Sequence, residues 1–218
     1  MQTIMVNEIF ASINGEVNKW GQGSPTVFIR LQGCNLKCSY CDTAYAQNIS
    51  SADVVNLTIP EILGTIESFG IKRVTITGGE PLLQKETFCL INKLFYDGYQ
   101  ISVETNGSIK IPITPCSHPD ICWVVDYKME FPKQMILSNY YNLNKNDFVK
   151  FVIEDKERLD WAIRIKKSLQ TSGCKAQFAF SPIGADFKLA GEMTKWILDR
   201  KIDDVIVNLQ IHKIINVK

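Results

Sequence analysis

Three cysteines, Cys34, Cys38 and Cys41, follow directly on the β-branched, apolar run Thr26-Val27-Phe28-Ile29-Arg30-Leu31. Any fold for this chain must therefore place a C-x3-C-x2-C loop at the end of a buried strand. Thiolates so close together suit a soft metal or a cluster: zinc, copper(I) or iron–sulfur. Zinc modules usually add a second Cys or His pair further along, and none follows at that spacing. Three ligands on one loop can hold three irons of a four-iron cluster and leave the fourth open. On the residues alone, zinc and merely packed or disulfide-forming cysteines remain alternatives.

With 218 residues, 45% hydrophobic and 22% charged, the chain suits one globular α/β domain over 1–218. The formal net charge of +1 gives no basic field for nucleic acid or a membrane surface, so neither is expected as a partner. Seven cysteines are an odd number, too dilute for a secreted disulfide scaffold. The first residues lack the basic and apolar regions of a signal peptide, and no stretch is apolar for the ~18 residues of a membrane span. A reducing cytoplasm is the expected compartment, which a thiolate-ligated cluster also needs.

Along the chain, residues 10–16 read as a strand end running into a glycine turn, and the segment to Pro25 as a loop. Residues 44–57 read as polar and irregular. Thr58 and Glu61 form a capping box that starts a helix carrying Ile62, Ile66 and Phe69, which Gly70 ends. A strand over 72–77 closes on Gly78-Gly79-Glu80-Pro81. Two glycines there let the backbone approach a ligand. A helix over 83–97 follows, with Cys89 as a packed thiol. Strands are expected over 99–104, 122–128, 148–153, 176–180 and 204–209, with a loop over 110–120. Asp155 caps a helix closed by Gly173, and another helix covers 190–199.

Strands and helices in alternation predict a parallel sheet with right-handed crossovers. Six or seven strands are too few for a closed eight-fold barrel, so the expected architecture is an open, partial TIM-like barrel. In such barrels chemistry sits at the C-terminal strand ends. Polar clusters stand at those ends: the cysteine loop, Glu80, Thr105 to Gly107, Asp126 to Lys128, and Ser181. Arg30 is a charge inside an apolar run, either at an edge or rim or as an anion ligand beside the cysteines.

The cysteine loop, followed one strand and helix later by Gly78-Gly79-Glu80-Pro81, resembles the radical S-adenosylmethionine (SAM) enzymes. That resemblance implies a [4Fe-4S] cluster on Cys34, Cys38 and Cys41 whose open iron binds SAM, which is cleaved to a 5′-deoxyadenosyl radical. Further motifs narrow it. Asn7-Glu8-Ile9-Phe10, Ile13-Asn14-Gly15-Glu16, Phe28 to Cys34, Cys41-Asp42-Thr43, Glu104-Thr105-Asn106-Gly107 and Leu209-Gln210-Ile211-His212-Lys213 together resemble the 7-carboxy-7-deazaguanine synthase family along nearly the full length.

By that resemblance the substrate is a pterin, 6-carboxy-5,6,7,8-tetrahydropterin. It is ring-contracted to 7-carboxy-7-deazaguanine with loss of ammonia, on the route to queuosine, and SAM is regenerated. Arg30 would meet the substrate carboxylate, and Ile13, Asn14, Gly15 and Glu16 the pterin. Thr105, His212 and the carboxylate of Lys218 would add hydrogen bonds. Thr43 would bind Mg2+. Tyr40, Cys41, Asp42, Gly79, Glu80, Gly107, Asp126, Tyr127 and Lys128 would contact SAM. The chain departs from the family pattern in having Asn14 for Gln and Asp126-Tyr127 for Ser-Pro. A flavodoxin or ferredoxin donor and a homodimer are implied. The alternatives are a glycyl-radical activating enzyme, or an iron–sulfur electron carrier with Cys116, Cys122 or Cys174 as a fourth ligand.

Overall fold

Alternation within each strand decides how the sheet folds. Side chains of a strand point to opposite faces in turn, and here one face is apolar and the other polar. A computed structural model describes residues 2–49, 54–112 and 118–218. Among them lie nine strands: β1 (Thr3–Ile13), β2 (Pro25–Leu31), β3 (Val55–Thr58), β4 (Arg73–Gly78), β5 (Gln100–Thr105), β6 (Ile121–Asp126), β7 (Phe148–Ile153), β8 (Gln177–Pro182) and β9 (Ile206–Val207). They form one sheet in the order β3-β1-β2-β4-β5-β6-β7-β8-β9. From β2 to β9 every pairing is parallel, which gives the expected open, partial barrel of the α/β class.

The helices are α1 (Ile59–Glu67), α2 (Glu86–Tyr96), α3 (Leu137–Tyr141), α4 (Lys156–Thr171), α5 (Phe187–Asp199) and α6 (Ile211–Ile214). Starts fall where the caps put them. The Glu61 carboxylate accepts from the Thr58 N–H and hydroxyl, at 2.8 and 2.7 Å, and so opens α1. Asp155 accepts from the Arg158 N–H to open α4. Asp186 does the same for α5, earlier than the expected start at 190. Such caps contribute about 1 kcal/mol each.

The apolar face packs outward into one core. Ile29, Ile76, Val103 and Trp123 stand in one row across β2, β4, β5 and β6, all fully buried. Trp161 and Trp196 pack on that core from α4 and α5. The opposite row runs Arg30, Thr77, Glu104, Val124 and Asp126, Lys150, Ser181, and it lines the inside of the barrel.

Three expectations are corrected here. The segment 44–57 is not uniformly irregular: Ala44–Ala46 make one tight helical turn, and β3 pairs antiparallel with the start of β1. Residues 50–53, and 113–117 with Cys116, lie outside the described residues. The last strand is shorter than 204–209, because only Ile206–Val207 pair with β8. Cys89 is exposed on α2 rather than packed.

The loop 14–24 bridges the open side of the barrel. The Ile211 N–H donates to the Gly15 carbonyl, and the Gln22 amide to the Leu209 carbonyl. Asn208 is the hub. Its Oδ1 accepts from the Val17 N–H at 2.9 Å, and its Nδ2 donates to Ser181 Oγ at 2.8 Å. At 1% exposure, neither bond has water as a substitute. Asn208→Leu is therefore expected to cost ~2–4 kcal/mol by stranding two buried polar groups. Urea unfolding should show a lower midpoint with an unchanged slope.

Candidate active site

One cleft of about 500 Å3 opens at the C-terminal ends of the parallel strands. Cys34, Cys38 and Cys41 line it, each half-buried and without a disulfide. Main-chain bonds shape their loop: Gly33 N–H to the Ala46 carbonyl at 2.8 Å, Cys34 N–H to the Gln47 carbonyl at 3.2 Å. Gln32, fully buried, donates to the carbonyls of Tyr45 and Asn48 and clamps the far side of the loop. The Cys34 sulfur already accepts from the Leu36 N–H at 3.4 Å.

Burial pushes the Cys34 thiol up, and the Cys38 thiol to about 11 against the pull of Lys128. A metal that binds these sulfurs must displace their protons. Three soft sulfurs facing one cleft fit a cluster whose irons are separate atoms. Cys122 and Cys174 are buried away from the cleft and supply no fourth ligand.

The Gly78-Gly79 pair serves the protein backbone itself. A Cβ at Gly78 would overlap the Leu31 carbonyl, and one at Gly79 the Gly33 carbonyl. Gly78 also has φ +145°. The end of β4 can thus press on the end of β2, with the Glu80 N–H donating to the Gly33 carbonyl at 2.8 Å. Glu80 then turns inward under the rim. Its carboxylate accepts from the Asn106 N–H at 2.6 Å, the Thr105 hydroxyl at 2.8 Å and the Leu82 N–H at 3.0 Å. Glu80 is 0% exposed and does not line the cleft, so its contacts join the β4 and β5 turns.

The inward row carries the charges. Arg30 gives its Nε to Glu8 Oε1 at 2.7 Å, and its guanidinium lies near the rings of Phe10 and Tyr45. Arg30 also lines the cleft. Asp126 lies between Lys128, at 2.6 Å, and Lys150, at 3.3 Å. Burial acts to raise Asp126, but the two ammonium groups outweigh it and hold it below the usual range. Lys128 also stands over the Tyr40 ring at 5.7 Å. Glu104, held by the Thr77 hydroxyl at 2.8 Å, is raised by burial and by the charge of Glu16.

The tail completes the wall. His212 presses on Gly15 so closely that a Cβ there would overlap the ring, which only glycine permits. Burial lowers the His212 pKa, favouring neutral imidazole. Lys213 and Gln210 engage Asp42 at 3.1 and 3.4 Å. The Lys218 ammonium pairs with Glu8 beside Arg30.

Of the residues singled out in the sequence, Ile13, Gly15, Glu16, Arg30, Cys34, Cys38, Tyr40, Cys41, Asp42, Thr43, Gly79, Thr105, Asp126, Lys128, His212 and Lys218 meet in this cleft. Asn14, Glu80, Gly107 and Tyr127 do not line it. Asn14 is buried, taking the Thr75 hydroxyl and giving to Ser24. Gly107, at φ +76°, packs under Tyr140, and Tyr127 stacks on Phe151 in the core. The sequence reading missed Glu104 as a cleft residue, and Lys150 altogether. Both are charges inside apolar strands, the signal that had marked Arg30.

Residues 28–111 match the Radical SAM superfamily. The chain is 39% identical over 215 residues to a 7-carboxy-7-deazaguanine synthase of Clostridium acetobutylicum, covering 96% of this chain and 95% of that one. A 7-carboxy-7-deazaguanine synthase of Methanospirillum hungatei is 36% identical, covering 96% and 84%. Among solved structures, QueE from Escherichia coli superposes with a TM-score of 0.75 at 21% identity, over 95% of this chain and 94% of that one, a likeness of fold.

Glu80 gives this site a pH signature. Burial, against three donors, raises its carboxyl from 4.5 to about 7. A carboxyl easier to protonate folded than unfolded stabilises the fold at low pH, and that stability is lost as pH rises to about 7. Glu80→Gln should remove about 3 kcal/mol of pH dependence between those values. The check is urea unfolding of both proteins at pH 4.5 and 7.5, compared by slope rather than by absolute stability.

Proposed function

The chain belongs to the 7-carboxy-7-deazaguanine synthase family of radical SAM enzymes, and from that premise we propose how its own residues carry the reaction. It is a radical SAM lyase that contracts 6-carboxy-5,6,7,8-tetrahydropterin to 7-carboxy-7-deazaguanine with loss of ammonia. The observation that supports the assignment of roles is a single cleft walled by the three cysteines, Arg30, the Glu16 turn and His212.

Cys34, Cys38 and Cys41 would hold the cluster. With SAM bound there and an electron from the donor, the cluster would supply radical chemistry for hydrogen abstraction from the substrate. Tyr40, Asp42, Gly79, Asp126 and Lys128 form the wall on the cysteine side and would orient SAM. The Glu80, Gly107 and Tyr127 contributions are indirect: they shape the turns on which those residues stand. Arg30, oriented through its Nε by Glu8, would grip the substrate carboxylate. Glu16, Gly15, Ile13 and neutral His212 would meet the pterin edge, with Asn14 behind them as a brace. Thr43, beside Cys41 with its hydroxyl 3.9 Å from that sulfur, would give an oxygen to Mg2+. Thr105 and Lys218 stand in the same wall.

No helix among the described residues is long and apolar enough to cross a membrane. The reducing cytoplasm, a flavodoxin- or ferredoxin-type donor and a homodimer complete the reading. The test is anaerobic incubation of the reconstituted protein with SAM, reductant and the carboxypterin, followed by mass spectrometry. The deazaguanine should appear. Its absence, with hydrogen abstraction from a protein glycine instead, would favour a glycyl-radical activase.

Two variants check the roles. Cys38→Ala should lose iron and 5′-deoxyadenosine formation together, read by iron assay and chromatography. Arg30→Met should raise KM for the pterin by ~10–100-fold, the worth of a hydrogen bond to a charged group, while cluster content stays unchanged.

A further inference from the structure

Lys150 lines the cleft, and the reading above leaves it without a task. It sits in the middle of β7, directly beside Asp126 in the parallel ladder. The ladder is pinned at that point by the Tyr127 N–H, which donates to the Lys150 carbonyl at 2.8 Å. The Lys150 ammonium reaches in two directions. On one side it stands 3.3 Å from Asp126 Oδ1, while Lys128 holds the other oxygen. On the other side it donates to Glu16 Oε2. Glu16 belongs to the loop that closes the barrel, far away in sequence.

The chain of contacts continues past Glu16. Its Oε1 accepts from Gln210 at 2.7 Å, and Gln210 also reaches Asp42 at 3.4 Å. Asp42 is the neighbour of Cys41 and is held by Lys213. A polar belt thus runs from β6 through β7 and the closing loop to the tail and back to the cysteine loop. Lys150 is the cation that joins β6 to the closing loop in that belt.

Burial acts against its charge, but Asp126, Glu16 and Glu104 outweigh burial and keep it protonated. Removing this ammonium would leave both carboxylates short of a partner, which is costly for buried charges.

We propose that Lys150 is a positioning residue that locks Glu16, on the substrate side of the cleft, to Asp126, on the SAM side. The inference rests on the family reading of the two walls. It goes beyond that reading in saying how they are held in register. Radical transfer needs the two reactants in contact before the radical forms. With the lock broken, SAM cleavage continues but is spent without product. Lys150 touches no reacting atom; it acts through Glu16.

The experiment is a double-mutant cycle with Lys150→Met and Glu16→Gln in the reconstituted enzyme, with Lys150→Arg as a charge-keeping control. Dissociation constants for the carboxypterin are measured with SAM present and no reductant. The ratio of 5′-deoxyadenosine to deazaguanine is measured with reductant. Each single change is expected to weaken pterin binding about tenfold or more, and the double change by less than about threefold beyond Glu16→Gln alone, since Lys150 acts only through Glu16.

The 5′-deoxyadenosine ratio should rise in Lys150→Met and fall back toward wild type in Lys150→Arg. Iron content should stay at the wild-type level in all. Additive binding effects, or an unchanged product ratio in Lys150→Met, overturn the proposal. If Lys150→Met alone loses its iron or does not fold, Lys150→Gln replaces it in the cycle with Glu16→Gln and is read by the same additivity. Failure of the wild-type enzyme to make the deazaguanine would instead strike the family reading.

Discussion

The inward face of this sheet is charged, and the rest of the structure follows from having to satisfy it. A strand buried on both sides normally reads as continuous apolar residues. Here Arg30, Glu104, Asp126 and Lys150 point into the barrel instead. An unpaired charge in such a place costs several kcal/mol. Three are therefore paired: Arg30 with Glu8, Asp126 with Lys128 and Lys150, Lys150 with Glu16. Glu104 instead takes the Thr77 hydroxyl, and burial raises its carboxyl toward the neutral form. The pairing groups come from β1, the closing loop and the strand ends. The partial barrel can keep its ionic interior only because these segments fold over it.

The same requirement explains why the seven parallel strands need no eighth. The loop 14–24 and the tail fill the gap with hydrogen bonds rather than with a strand. Asn208 ties the loop to β8, and Gly15 accepts the main chain of the tail. A regular strand could offer only alternating side chains and a flat edge. The loop offers Glu16 to Lys150 and room for His212 at Gly15. A short chain gains a polar wall where a complete barrel would have a strand.

Much of this was legible in the sequence, and the failures have physical causes. The capping box of Thr58 and Glu61, the Asp155 cap and the β-branched runs rest on local energetics, and they fall where expected. β3 escaped because its alternation, Val55-Asn56-Leu57-Thr58, lasts only four residues and runs straight into the α1 cap; its order comes from pairing with β1, a contact made far along the chain. Arg30 stood out as a charge in an apolar strand, and Lys150 carried the same mark. No motif stands beside the second, so nothing in the sequence drew it out of the strand 148–153. Glu80 is the reverse case. A motif gave it a ligand, but its three donors are supplied by the protein's own turns, which sequence spacing cannot reveal.

Glu80 and Gln32 point to a division of labour at the cysteine loop. Thiolate ligands must be held with sub-ångström consistency, yet the loop has little apolar anchorage beyond Leu36, which is buried. Fixing it by hydrophobic packing would leave its carbonyls free to rotate. Buried polar side chains fix them instead. Gln32 clamps Tyr45 and Asn48 from beneath, and Glu80 gathers the turn whose Asn106 amide reaches the Cys34 sulfur at 3.8 Å. Directional bonds set angles that packing alone cannot. The glycines at 78 and 79 let that scaffold approach the loop backbone. The motif residues nearest the cysteines thus act first on the loop's geometry, and through it on whatever the three sulfurs hold.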